Sequence, residues 1–206
     1  MSKIRVLIAD DHAIVRMGLT ALFDATEDIA VVGEAEDGAD AARKAVQLKP
    51  DVIVMDLMMP VMDGISAIRE IREKVPESRT LVLTTSSSSD DIDRALKAGA
   101  AGAMTKNTAN QKLLAAIRTI ASGERVLSNE VAQMIQDDPP VPGLTDRQRE
   151  ILRDVANGMT NREIADRLKI SPDGIKDHIS AICAKLGANN RSEAVAIALR
   201  KHLIKA

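Results

Sequence analysis

The sequence predicts a parallel α/β domain over residues 1–123 and a small all-α domain over residues 144–206. Three observations predict it. Short apolar runs alternate with amphipathic helical stretches up to about Gly123, two of those runs end on carboxylates, and capping signatures open helices in close succession after a proline-rich break. Net charge divides the same way: residues 1–124 carry −4 and residues 144–206 carry +4, against −2 for the whole chain of 206 residues. An acidic front and a basic rear point to different partners, the rear one anionic.

The first strand is Ile4-Arg-Val-Leu-Ile-Ala9, followed by a helix with Ile14, Gly18 and Leu22 in one i, i+4 row and Val15, Leu19 and Phe23 in the next. Ala30 to Val32 is a short second strand, and Ala42, Ala45 and Val46 mark a helix closed by Lys49-Pro50. Val52-Ile-Val-Met55 reads as a strand buried on both faces. Ile65, Ile68 and Ile71 line a third helix, Thr80 to Thr84 is a fourth strand, and Ile92, Ala95 and Leu96 belong to a fourth helix. Ala101 to Thr105 is a fifth strand, poor in β-branched residues, before a fifth helix with Leu113, Ala116, Ile117 and Ile120. Five β/α units imply a five-stranded all-parallel sheet wrapped on both faces, with flavodoxin-like strand order.

Composition sets bounds on function. Apolar residues at 45% are enough for ordinary cores, but Phe23 is the only aromatic, so there is no stacking platform for single-stranded nucleic acid. The one cysteine, Cys183, cannot form an internal disulfide and reads as a buried, unreactive thiol. There is no cationic-then-apolar leader and no long apolar span, so a cytoplasmic address without membrane contact is expected.

In open α/β sheets the carboxyl ends of the strands face the ligand crevice. The first strand ends on Asp10 and Asp11 and the third on Asp56. Three carboxylates at neighbouring strand ends repel one another unless a cation sits among them, and oxygen ligands of this kind suit magnesium. Beside such an ion a carboxylate can attack phosphorus and form an acyl phosphate. Thr84 and Lys106, at the ends of strands four and five, can reach the oxygens of a phosphoryl group on Asp56.

This constellation, Asp10, Asp11, Asp56, Thr84 and Lys106 with Met59-Pro60 and Asp63-Gly64, resembles the receiver domain of two-component response regulators over residues 1–123. The resemblance implies that Asp56 accepts a phosphoryl group from a sensor histidine kinase. Asp11, Asp56 and the carbonyl of Met58 would ligate Mg2+, with Asp10 acting through water; Thr84 would move to bond the phosphoryl group and Lys106 would pair with it. One position departs from the pattern. Receivers usually carry Tyr or Phe three residues before the lysine, and here that residue is Ala103.

Residues 124–143 are expected to be a linker, with a short helix capped by Ser128 and then Asp137-Asp-Pro-Pro-Val-Pro-Gly143, which cannot continue a helix. The rear domain follows with four helices. Thr145-Asp-Arg-Gln148 opens one with Ile151, Leu152 and Val155 inward, closed by Gly158, and Thr160-Asn-Arg-Glu163 opens a shorter one with Ile164, Ala165 and Leu168 inward. Ser171-Pro172 starts a third, which buries Ile175, Ile179, Ile182, Cys183 and Leu186 and stops at Gly187; Asn190 and Glu193 start a fourth. Two short helices joined by a tight turn, the second polar on its outer face, make a helix-turn-helix unit whose later helix can enter a major groove.

Leu144-Thr, Glu150-Ile-Leu152, Thr160-Asn-Arg-Glu-Ile-Ala165, Ile175-Lys, His178-Ile and Lys185-Leu-Gly187 look like the LuxR-type DNA-binding domain. That resemblance places Lys176, Asp177 and Ser180 at base edges of double-stranded DNA and Thr160, Asn161, Arg162 and Arg191 at the backbone, with His178 packing to position the helix. Gly174 stands where the family usually has Thr, and Asp177 brings a negative charge towards DNA. The implied whole is a response regulator of the LuxR/NarL type: a transcription factor, not an enzyme with external turnover, that dimerises on activation through Val195, Ala198 and Leu199. RNA polymerase is a further partner that the resemblance admits. The alternative is an orphan regulator of the same architecture, binding DNA independently of phosphorylation. A phosphatase using Asp56 would need a second acid two residues on, where Met58 stands.

Overall fold

A computed structural model describes residues 3–85, 88–140, 143–201 and 203–204. The chain divides into two compact units, Met1–Asp138 and Pro139–Ala206.

In the first unit, β1 (Ile4–Ala9), α1 (Ala13–Asp24), β2 (Ile29–Ala35), α2 (Gly38–Leu48), β3 (Val52–Met55), α3 (Gly64–Lys74), β4 (Arg79–Thr84), α4 (Ser89–Ala98), β5 (Gly102–Thr105) and α5 (Asn110–Ala121) alternate as expected. The sheet is parallel throughout and runs β2-β1-β3-β4-β5 and then a sixth strand, β6 (Val126–Leu127), where five strands were expected. Helices cover both faces. One core gathers Ile53, Met55, Ile68, Val82 and Ile92, the other Val6, Ile8, Phe23, Leu81 and Ile117. All four residues of β3 are buried, as a central strand with helices on both sides requires.

Residues 124–138 are not a linker. β6 pairs with β5, and α6 (Asn129–Asp137), capped by Ser128 accepting from Val131 N–H, inserts a fully buried Val131 into the first core. A two-residue strand has no period to read, and this one depends on tertiary context: a Cβ on Gly102 would lie 2.3 Å from the Val126 carbonyl oxygen, so the close pairing needs glycine. In α1, Leu19 and Phe23 face the core, but Ile14 is 81% exposed, so the row through Ile14 and Gly18 is not an inner stripe.

The second unit contains α7 (Asp146–Ala156), α8 (Asn161–Leu168), α9 (Pro172–Leu186) and α10 (Arg191–Arg200). Both expected capping boxes form, Thr145 with Gln148 and Thr160 with Glu163, while Ser171 accepts from Gly174 N–H and Asn190 from Glu193 N–H. Its core holds Ile151, Leu152, Ile164, Ile175, Ile182 and Leu186. Cys183 is half-buried against this core, and burial pushes its thiol pKa up. Among the described residues no helix is long and apolar enough to cross a membrane.

Candidate functional site

β1 and β3 are neighbours in the sheet, so the residues following them meet at one edge. Asp56 is held there by its own N–H, which donates to the Ala9 carbonyl at 2.8 Å. Asp10 donates its N–H to Ala35 on β2 at 3.1 Å. Both carboxylates are almost wholly buried, whereas Asp11 is exposed. Gly64 allows α3 to begin against this strand end, because a Cβ there would lie 2.1 Å from the Asp56 carbonyl oxygen.

Lys106 arrives from the end of β5, its N–H donating to the Thr84 carbonyl at 2.8 Å. Its Nζ lies 2.5 Å from Asp10 Oδ2 and 2.7 Å from Asp56 Oδ2. Burial works to lower the Lys106 pKa, but hydrogen bonds to Asp10 and Asp56 and the charge of both carboxylates outweigh it, and the pKa is raised. Thr84 ends β4 between the Asp56 and Lys106 strands and is buried. Met58, two residues past Asp56, donates its N–H to Asp56 Oδ1 at 3.3 Å.

His12 was not anticipated. Its Nδ1 lies 2.6 Å from Asp11 Oδ1, and ligand atoms of Asp10, Asp11, His12 and Asp56 all fall within 4.8 Å of one another. A histidine directly after paired acids was the available signal. The donor set suits a divalent cation: two buried carboxylates share one ammonium, which leaves negative charge over, and exposed Asp11 opens the cluster to solvent. Ala103 is fully buried on β5, with its carbonyl accepting from Ser128 N–H at 3.1 Å, and shares a core with Val131 of α6.

In the second unit Lys176, Asp177 and Ser180 are exposed on the outer side of α9, and Thr160 and Arg162 are exposed at the start of α8. Arg191 is tied down: it donates to the Met159 carbonyl at 2.9 Å and to Asn161 Oδ1 at 3.4 Å, bracing the turn before α8. One expected seam residue is not at the surface. Ala198 is fully buried, because α10 turns that side onto the core of its own unit, with Val195 and Leu199 half-buried beside it.

Comparison with known families gives two matches. The response regulator receiver domain matches residues 6–118, and the luxR family of bacterial regulatory proteins matches residues 142–198. The chain is a response regulator of the LuxR family. Relatives agree along its whole length. The regulator is 40% identical to the transcriptional regulatory protein LiaR of Bacillus subtilis, over 98% of this chain and 99% of that one. It is 37% identical to the response regulator protein VraR of Staphylococcus epidermidis, over 98% and 99%. Among solved structures it matches RcsB from Salmonella enterica serovar Typhimurium, bound to a promoter in the presence of phosphomimetic BeF3−, with a TM-score of 0.69 and 28% identity over 95% of this chain and 98% of that one. Another match is the response regulator ChrA of a heme-sensing two-component system, with a TM-score of 0.59 and 37% identity over 99% and 100%. The regulator therefore pairs a receiver with a DNA-binding domain, as a transcription regulator does.

Proposed function

We propose that Asp56 is the phosphoacceptor and that its phosphorylation controls DNA binding by the second unit. The observation that carries this reading is Lys106 Nζ bridging Asp56 and Asp10 at the open edge of the sheet. An Asp56 oxygen attacks phosphorus of a sensor kinase's phosphohistidine; the P–N bond breaks, the imidazole leaves, and an acyl phosphate forms. Asp11, Asp56 and the Met58 carbonyl would hold Mg2+, with Asp10 acting through water, and the ion would neutralise charge on the transferring group. Lys106 supplies a positive charge to the new phosphoryl group, and Thr84 supplies a hydroxyl from the neighbouring strand end.

In the second unit, α9 enters the major groove of double-stranded DNA and presents Lys176, Asp177 and Ser180 to base edges. Thr160, Asn161 and Arg162 sit at the backbone, and Arg191 keeps Asn161 in place. Two half-sites one turn apart call for a homodimer, so the half-buried Val195 and Leu199 carry the DNA-bound seam without Ala198. RNA polymerase is the downstream partner, and the cytoplasm is where kinase, DNA and regulator meet.

The test is intact mass after incubation with Mg2+ and a small phosphodonor, on wild type and Asp56→Ala, followed by gel shift and sizing of the same samples. One added phosphoryl group on the wild type alone, with tighter DNA binding or dimerisation, is the expected result. A second reading is favoured by Ala103: with no ring to swing inward, DNA binding is independent of phosphorylation. Phosphoryl uptake without any change in dimer fraction or DNA affinity would select it.

A further inference from the structure

The end of the sheet opposite the acid cluster carries the reverse charge. At the N-terminal ends of β4 and β5 a cleft of about 180 Å3 is lined by Arg72 from α3, Arg79 at the start of β4 and Arg125 just before β6. No carboxylate lines it, and none of the three arginines forms an ion pair among the described residues. Three like charges around one small cleft repel, and in water an arginine is free to turn away.

Two of them, although exposed, have a defined neighbour at the cleft. Arg72 lies against Gly99, where a Cβ would come within 2.4 Å of its Cδ and 2.9 Å of its Nη1. Gly99 has φ +124, the backbone conformation that favours glycine there. Arg79 donates Nη1–H to the Gly123 carbonyl at 3.2 Å, and Gly123 also has positive φ. The floor adds a neutral donor. Thr80 lines the cleft and is 3% exposed as a residue; its hydroxyl has no hydrogen-bond partner among the described residues, and since no buried side-chain oxygen there is left without one, that hydroxyl opens onto the cleft. A hydroxyl open to the cleft can donate to an oxygen of a bound anion.

We infer that this cleft is a second anion site, which takes a diphosphate group between Arg72, Arg79 and Arg125 with the Thr80 hydroxyl donating from below. Arginine forks match phosphate oxygens in pairs, and three cations answer the multiple charge of a diphosphate better than that of a monoanion. Size limits the ligand. The cleft is smaller than the roughly 300–1,000 Å3 of sites that enclose whole drug-sized molecules, so if the diphosphate belongs to a nucleotide, its base lies outside.

The site is independent of the Asp56 chemistry and is tested apart from it. Isothermal titration of the full chain with inorganic diphosphate, in magnesium-free buffer, should give one saturable site. The double variant Arg72→Gln/Arg125→Gln should weaken it at least tenfold, and Thr80→Val, which keeps the shape, several-fold. Phosphoryl uptake at Asp56 should stay within twofold of wild type in both. Parallel titrations with GTP and ATP identify the source: tighter binding than inorganic diphosphate assigns a nucleotide, equal or weaker binding the inorganic ion. Absence of saturable binding, or affinity unchanged in the double variant, overturns the inference.

Discussion

Lys106 Nζ is 2.7 Å from Asp56 Oδ2 and 2.5 Å from Asp10 Oδ2, so one ammonium serves as counter-ion to two buried carboxylates from different strand ends. Removing it with Lys106→Met leaves both acids without their ammonium, keeping only backbone donors from His12 and Met58, and stability should fall by about 2 kcal/mol in magnesium-free buffer. The pH dependence has a definite sign. The folded pKa of Lys106 is raised, so its contribution is fully present below the usual lysine value of 10.5 and disappears as pH rises through the folded value. Urea midpoints of wild type and variant should therefore differ at pH 8 and converge above the folded pKa.

Magnesium should stabilise the wild type by mass action, about 1.4 kcal/mol at ten times its dissociation constant. Asp11→Asn removes the exposed carboxylate of the cluster and should lower that affinity about tenfold, by the loss of one charged oxygen ligand. Melting temperature against Mg2+ concentration reads this directly. An identical titration curve for the variant would remove Asp11 from the ligand set.

Gly64→Ala should be among the most damaging small substitutions in the receiver. Its Cβ would sit 2.1 Å from the Asp56 carbonyl oxygen, and the nearest atoms are backbone, which cannot swing aside. A loss of roughly 2–3 kcal/mol is expected, in the range of overpacking, and slower phosphoryl uptake should accompany it because the strand end itself must shift. Denaturation and intact-mass time courses on one sample separate the two effects.

Gly174→Ala should go the other way. The contact is tight but with a side chain: a Cβ there would lie 3.3 Å from Ser171 Oγ, the cap acceptor of Gly174 N–H, which must give by a few tenths of an ångström for the gain to appear, and 3.9 Å from Ile170 Cδ1. The gain is up to about 1 kcal/mol from helix propensity, seen as a higher midpoint for the second unit.

Lys176→Ala tests the groove face of α9. If its ammonium faces DNA, affinity falls, and a phosphate contact would also reduce the salt slope by about one. Fluorescence anisotropy across a salt series measures both.

The acid cluster was legible because each member closes an apolar run: Asp10 and Asp11 after Ile8-Ala9, Asp56 after Val54-Met55, and Lys106 after Met104-Thr105. Strand period and chemistry reinforced each other at those points. His12 was overlooked because a lone histidine carries no period, and its role came only from the 2.6 Å approach to Asp11. β6 escaped because two residues cannot show alternation, so α6 looked like linker although Val131 is core. Ala198 shows the converse limit: its place on a helix was readable, but which side of α10 met its own core was decided by packing. Arg72, Arg79 and Arg125 share no spacing at all, and only the sheet brings them to one cleft.

The attachment of β6 to β5 bears on how this receiver can be handled in isolation. A fragment ending at residue 123 would strip the partner strand from Gly102 and Ala103, leaving their backbone groups as an open ladder, and would uncover the apolar bed of Val131. Such an edge recruits whatever strand it meets, including another copy of itself. Self-association measured on that fragment would report a wound made by truncation rather than the response to phosphate; a fragment carried through Asp138 keeps the edge closed.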